Sequence, residues 1–194
     1  MVHPEPFETP PAPSGREQRA TAAAGQDWPR QVFDKLREAD VRQVAYVPDS
    51  GHARLIELCH ADPAMTTTVL TTEEEGIGVL AGAWLGGRRG VLLMQSSGVG
   101  NCFNTLSLAT ECGFPLVMLV TMRGEWGEFN PWQVPMGQLT EGGLRRAGVI
   151  VYTVSAPEAA APTVEAAVRI AFNSSRVAAV LLSQQMIGTK LFKD

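Results

Sequence analysis

The chain has 194 residues, 45% hydrophobic and 19% charged, enough apolar material for the core of one globular domain. A net charge of −4, with no basic stretch interleaved with aromatics, excludes a nucleic-acid footprint, and nothing approaches the ~18 apolar residues that cross a membrane. Cys59, Cys102 and Cys112 are odd in number and lack C-x-x-C spacing. They read as reduced thiols of a cytoplasmic protein, and with His3, His52 and His60 scattered they form no metal-binding pattern.

Residues 1–28 read as a flexible tail, with Pro4, Pro6, Pro10, Pro11 and Pro13 among small and polar residues. The tail has no apolar signal-peptide core, and Glu5, Glu8 and Glu17 argue against a transit peptide. The domain itself is expected over 29–194. A helix is predicted from Pro29 to Glu38, a strand from Val41 to Val47, a helix from Ala53 to His60 and a short strand from Thr66 to Leu70. A helix led by Glu73-Glu74-Glu75 follows, then a strand from Gly90 to Met94. Gln95 to Asn101 reads as a turn into a helix running to about Cys112. Pro115 to Thr121 is so apolar that it is expected to be buried on both faces. Arg123 to Thr140 reads as a long irregular stretch, rich in aromatics, that forms a lid or a subunit contact. A strand (Val149 to Val154), a helix (Pro157 to Asn173) and a strand (Val177 to Leu182) complete the pattern. The alternation implies a three-layer α/β/α sandwich around a mainly parallel six-stranded sheet. Ligands of such sheets lie beyond the carboxyl ends of strands, which singles out the loops Pro48 to His52, Thr71 to Glu75, Gln95 to Asn101 and Met122 to Thr140.

Glutamates in a first helical turn are favoured by the helix dipole, and this suffices for Glu73 and Glu75. Glu74 shares a stripe with Ile77, Gly78, Ala81 and Leu85, so it is expected to face inward. A buried carboxylate is costly unless hydrogen-bonded, which marks Glu74 as the candidate functional residue. Gly76, Gly78 and Gly82 weaken the helix and suggest close approach of a backbone or a flat ligand. The same segment matches a dinucleotide-binding G-x-G-x-x-A pattern. Three preceding carboxylates would repel a pyrophosphate, and no acid lies ~20 residues onward to hold a ribose, so that reading is rejected. Gln95 to Asn101 lacks a P-loop lysine and a hydrolase elbow frame; it, like Pro48-Asp49-Ser50-Gly51, reads equally as a plain turn.

Together, Tyr46-Val47-Pro48-Asp49-Ser50, the segment Glu73 to Gly78 continuing to Ala81-Gly82-Ala83-Trp84, Met94 to Asn101, and Val134 to Gln138 resemble the pyrimidine-binding (PYR) domain of thiamine-diphosphate-dependent 2-oxo acid decarboxylases. Within that family the likeness is to sulfopyruvate decarboxylase alpha subunits and the matching half of phosphonopyruvate decarboxylases, over Val41 to about Leu182. The resemblance implies a glutamate that hydrogen-bonds N1′ of the cofactor pyrimidine and thereby promotes loss of the thiazolium C2 proton. Counting back from Ala81-Gly82-Ala83-Trp84 gives that role to Glu74. It implies further that Pro48 lies against the aminopyrimidine and that Gly98 and Asn101 shape the loop beneath it. By the same resemblance Ser50 and Gln95 are expected to face the substrate, Gln95 standing where related decarboxylases often carry histidine.

The family's Gly-Asp-Gly motif, which holds a Mg²⁺-bound diphosphate, is missing from the sequence. The resemblance therefore implies a heteromer, with thiamine diphosphate clamped between this chain and a separate diphosphate-binding beta subunit that holds Mg²⁺. The expected function is decarboxylation of a small 2-oxo acid carrying a sulfonate or phosphonate. A carboligase using the same cofactor and a non-catalytic assembly subunit of the same fold are the alternatives. Arg54 and Arg123 lie near the right loops as candidate anion partners, but read rather as ordinary surface arginines.

Overall fold

The computed structural model describes residues 27–188, so the tail assigned to residues 1–28 lies almost wholly outside the described residues. Trp28, expected as its last residue, instead opens the first helix and is buried. In chain order the elements are α1 (Trp28–Glu38), β1 (Val41–Tyr46), α2 (Ala53–Ala61), β2 (Thr66–Val69), α3 (Glu73–Leu85) and β3 (Arg89–Gln95). There follow α4 (Ser96–Cys102), α5 (Leu106–Cys112), β4 (Leu116–Thr121), α6 (Val134–Arg146), β5 (Ile150–Val154), α7 (Ala160–Ser174), β6 (Val177–Leu182) and α8 (Gln184–Ile187).

The six strands form one sheet in the order β2-β1-β3-β4-β6-β5, with every pairing parallel. Strand side chains alternate between faces, and the two faces carry separate cores. Val44, Val91, Leu93, Val117, Leu119, Ala178 and Val180 point to one side, where α1, α2 and α7 cover them with Val32, Phe33, Leu36, Leu55, Val164 and Val168. Ala45, Leu92, Met94, Met118, Val120, Ala179 and Leu181 point to the other, against Ile77 and Leu80 of α3, Val99 of α4, Leu106 of α5 and Leu144 of α6. Every residue of β4 and β6 is buried, as expected of central strands covered twice. This is the α/β/α sandwich implied by the alternation. Among the described residues no helix is long and apolar enough to cross a membrane.

Three local expectations are corrected. The stretch Arg123 to Thr140 is irregular only as far as Asn130; a short 3₁₀ turn, Pro131–Gln133, leads into α6. Gly137, Gly142, Gly143 and Pro135 disguise that helix, since glycine and proline are poor helix formers. The glycines have a packing reason: a side chain at Gly137 would overlap the Arg123 carbonyl, and one at Gly143 would meet the Phe103 ring. Gln95 to Asn101 is not a turn, because Gln95 ends β3 and α4 begins at once; a break at 103–105 separates α4 from α5. The glycines of α3 divide as well. A methyl at Gly76 would lie 2.5 Å from Leu92 Cδ1, so this glycine lets the helix approach β3, whereas Gly78 and Gly82 have nothing within 4 Å.

From β1 the chain moves outward to β2, and from β3 it moves the opposite way to β4, so the winding reverses between β1 and β3. A crevice opens at the carboxyl ends of strands at such a reversal. Here those ends are Val47 to Ser50 and Gln95 to Ser97.

Leu119 is fully buried at the middle of the sheet. Leu119→Ala is expected to cost about 2–5 kcal/mol through lost burial and the cavity left behind. Thr66→Val, on the exposed edge of β2, is expected to change stability by less than about 0.5 kcal/mol. Urea denaturation midpoints of both variants at equal slope check the contrast.

Candidate active site

Three consecutive glutamates at the start of α3 take three different environments. Glu73 is buried at 8% exposure, Glu74 is half-buried and Glu75 is exposed. The inward stripe of α3 comprises Glu73, Gly76, Ile77, Leu80 and Ala81, while Gly78 is exposed and Leu85 is 74% exposed. The expectation that Glu74 faces inward, and that Glu73 is only a helix-start charge, is therefore corrected. The physical reason lies further along the helix. Glu73 lies in line with Ile77 and Leu80, large side chains that fill the core on this face of the sheet; Glu74 shares Ile77 and Ala81 with that face but is also in line with Gly78 and Leu85, both exposed.

Each carboxylate finds its own partners. Glu75 accepts from the Thr71 hydroxyl at 2.6 Å and the Thr71 amide at 3.0 Å, and these bonds hold its carboxyl below the usual range. Glu74 accepts from the Thr72 hydroxyl at 2.6 Å. Glu73 Oε2 accepts from Asn101 Nδ2 at 2.8 Å, across from α4. Its Oε1 receives no hydrogen bond from the described residues. Gly98 supplies the room, because a methyl group there would overlap the Glu73 carboxyl. Gly98 and Asn101 thus lie together against Glu73 rather than Glu74.

One step back along the chain, Gln95 ends β3. Its Nε2 donates to Asp49 Oδ1 at 3.1 Å, and its Oε1 accepts from the Ser97 hydroxyl at 2.8 Å. Asp49 Oδ2 accepts from the Gly51 amide at 3.0 Å and the Thr121 hydroxyl at 2.7 Å. Asp49, read from the sequence only as a turn residue, therefore joins the ends of β1, β3 and β4. Ser50 is exposed and lines a cavity of about 110 Å³ with Asp49, Gly51, Thr121, Arg123, Ile187 and Gly188. Pro48 is exposed in the loop that leaves β1. Beneath that loop His52 is fully buried, with Nε2 3.0 Å from the Leu119 carbonyl, and burial pushes its pKa down. It reads as a neutral structural histidine.

The loop after β4 is fastened by a buried ion pair. Arg123 Nε and Nη2 meet the two oxygens of Glu128 at 2.7 and 2.5 Å, the side chains being 7% and 3% exposed. Glu128 also accepts from the amides of Gly124 and Asn130 and from Gln184 Nε2 at 2.9 Å. Held by the Arg123 guanidinium first and these donors after it, the Glu128 carboxyl sits at about 2. Arg123 is therefore not the surface arginine that was expected, and Arg54 is, paired with Glu57 on an exposed helix face. Trp126, Phe129 and Trp132 project from this loop, 50%, 48% and 87% exposed. Cys102, behind Glu73, is a buried thiol pushed up to about 12 by desolvation and the nearby glutamates, too high for a nucleophile. Among the described residues no group of three or more His, Cys, Asp or Glu is placed to hold a metal.

Residues 28–132 match the model of the thiamine pyrophosphate enzyme N-terminal TPP-binding domain. The chain is 37% identical over 152 residues to the sulfopyruvate decarboxylase subunit alpha of Methanothermobacter thermautotrophicus, covering 78% of this chain and 92% of that one. It is 42% identical over 102 residues to the phosphonopyruvate decarboxylase of Streptomyces viridochromogenes, covering 52% of this chain and 26% of that one. Its fold superposes with a TM-score of 0.69 on a 2-oxoglutarate:ferredoxin oxidoreductase from Magnetococcus marinus, at 14% identity over 82% of this chain and 29% of that chain.

Glu128 has a folded pKa depressed below its ordinary value of 4.5, so its stabilising contribution is complete above pH about 4.5 and fades as pH falls toward 2. Glu128→Gln, which leaves Arg123 buried without its counter-charge, is expected to cost about 3–5 kcal/mol at pH 7. The gap between wild type and variant is expected to close as pH falls through that window, measured by urea denaturation followed through tryptophan fluorescence.

Proposed function

Since the chain belongs to the thiamine pyrophosphate enzyme family through its TPP-binding domain, alongside the sulfopyruvate decarboxylase alpha subunits, we propose that it is the pyrimidine-binding half of a decarboxylase of a small 2-oxo acid. The chain is a subunit of a thiamine-diphosphate-dependent carboxy-lyase. The proposed substrate carries a sulfonate or phosphonate on its third carbon, as the names of the relatives suggest. The proposed partner is a separate beta subunit that holds the cofactor's diphosphate through Mg²⁺. In support, the relative matched over nearly its whole length is named as a subunit, and the phosphonopyruvate decarboxylase is about four times longer than the segment matched. The proposal includes a cytoplasmic location, in keeping with the free thiols of Cys59, Cys102 and Cys112.

The residues at the reversal between β1 and β3 fit the cofactor's pyrimidine. A flat ring with a basic nitrogen needs a carboxylic partner, a surface without side chains and low access to water. Glu73 offers a buried carboxylate with one oxygen fixed by Asn101 and the other open, beside a glycine that leaves no bulk in the way. That half-satisfied carboxylate is the observation that carries the proposal. Thiamine diphosphate, when bound, supplies the electron sink that decarboxylation requires. Glu73 would hold a proton at the pyrimidine N1′, and Asn101 keeps its carboxylate in one orientation. Pro48 would border the ring, Gly98 would leave space beneath it, and Ser50 and Gln95 would face the substrate. Trp126 and Trp132, exposed on the adjoining loop, are the proposed contact with the beta subunit or lid over the site. The rival carboxylate is Glu74, which the helix stripe favoured in the sequence; its single bond to Thr72 keeps it at the helix start.

The test is the complex reconstituted with its beta subunit, cofactor and Mg²⁺, assayed for CO₂ release. Glu73→Gln is expected to lower kcat by ~10²-fold or more, the usual loss for a positioned acid–base group, and Glu74→Gln by less than ~5-fold. The reverse order would return the catalytic role to Glu74. Full activity of both variants would make the chain a non-catalytic assembly subunit.

A further inference from the structure

We propose that Asp49 is a positioning residue that locks the amide of Gln95 in one orientation, so that it presents an N–H donor to an anionic substrate. The inference rests on the proposed function and goes beyond it by assigning the specificity of the substrate side. A side-chain amide has two faces of opposite polarity, and little distinguishes them unless fixed groups choose. Here both ends of Gln95 are chosen. Asp49 as a carboxylate can only accept, so the NH₂ end must face it; the flipped amide would set one oxygen against another. The Ser97 hydroxyl donates to the other end. One hydrogen of Nε2 goes to Asp49 Oδ1 and the second has no acceptor among the described residues.

The anchor is itself held firmly. Oδ2 of Asp49 collects the Thr121 hydroxyl, 1% exposed, and the Gly51 amide. A methyl on Gly51 would lie 2.7 Å from Thr121 Cγ2 and 2.9 Å from Asp49 Oδ2, so the turn has no slack. A bare carboxylate at this edge would repel an anion, but three donors occupy its oxygens. The ligand chemistry that suits the remaining Gln95 donor is an oxygen that can only accept, such as the carboxylate or acidic substituent of a 2-oxo acid.

Asp49→Asn probes this with almost no change in shape. The asparagine oxygen keeps the two donors on the Oδ2 side, and its NH₂ then faces Gln95 and inverts the glutamine amide. In the full chain, the Gln95 side-chain amide resonances are expected to shift and to lose protection from hydrogen exchange, while the melting temperature stays within a few degrees. In the reconstituted complex, KM for the 2-oxo acid is expected to rise ~10-fold with kcat changed less than ~3-fold, the mark of lost ground-state binding. Gln95→Ala is expected to raise KM comparably, and Asp49→Asn to add nothing on that background, since the two residues act as one unit. Unaltered Gln95 resonances overturn the lock; an unchanged KM, or KM effects that add independently, overturn its link to substrate. A wild-type complex that releases CO₂ from no 2-oxo acid would instead sink the proposed function and the substrate link with it, leaving the resonances to decide the lock.

Discussion

A carboxylate removed from water must be met by donors, and the carboxyl edge of this sheet is organised by that requirement. Asp49, Glu73 and Glu128 all lie there, where strand backbones stop pairing with one another. Some of their donors come from residues distant in sequence: Gln95 and Thr121 lie 46 and 72 positions from Asp49, Asn101 lies 28 from Glu73, and Gln184 lies 56 from Glu128. These contacts of Asp49 and Glu73 form only when the strands stand in their native order, whereas most donors to Glu128 are its chain neighbours. The sheet topology builds the site, and the site in turn penalises any other topology.

How completely each carboxylate is satisfied separates structure from chemistry. Glu128 has both oxygens taken by a guanidinium, two amides and a glutamine, and nothing is left to offer a ligand. Glu73 is held at one oxygen and open at the other. Full satisfaction rigidifies a loop; half satisfaction keeps a buried acid aimed and available. Gly98 is what lets that carboxyl lie against α4, because a methyl group there would overlap it.

Much of the architecture was legible in the sequence. The runs Leu116 to Thr121 and Val177 to Leu182 are too apolar to be anything but doubly covered strands, and the alternation with amphipathic helices then fixes a parallel sandwich. What escaped detection had physical reasons. The helix Val134–Arg146 is spelled with residues that weaken helices, because neighbouring backbone and the Phe103 ring leave no room for side chains. At the head of α3, Glu73 and Glu74 both have Ile77 one turn on, so the apolar stripe does not distinguish them; the burial of Leu80 and the exposure of Leu85 do. Gly98 and Asn101, which the resemblance groups with Glu74, lie instead against the Glu73 carboxyl. The pair Arg123 and Glu128 has no periodicity to betray it, and Asp49 is indistinguishable in sequence from any acid in a Pro-Asp-Ser-Gly turn.

The fastening of the aromatic loop also sets an order of events during synthesis. The amides of Glu125 and Trp126 are held by the side chain of Gln184, which leaves the ribosome 59 and 58 residues later than they do. At ordinary elongation rates that is an interval of roughly 3–12 s in which Trp126 and Phe129 are already made but their anchor is not. Until β6 enters the sheet, the nascent chain carries an apolar segment held by its local ion pair, Arg123 with Glu128, and not by Gln184, beside a half-built edge. The last described turn of the protein thus helps to latch a surface made much earlier, and a nascent chain that stopped before β6 would pair β1 through β4 while leaving β5 without its sheet partner, β6, and the loop without its Gln184 anchor.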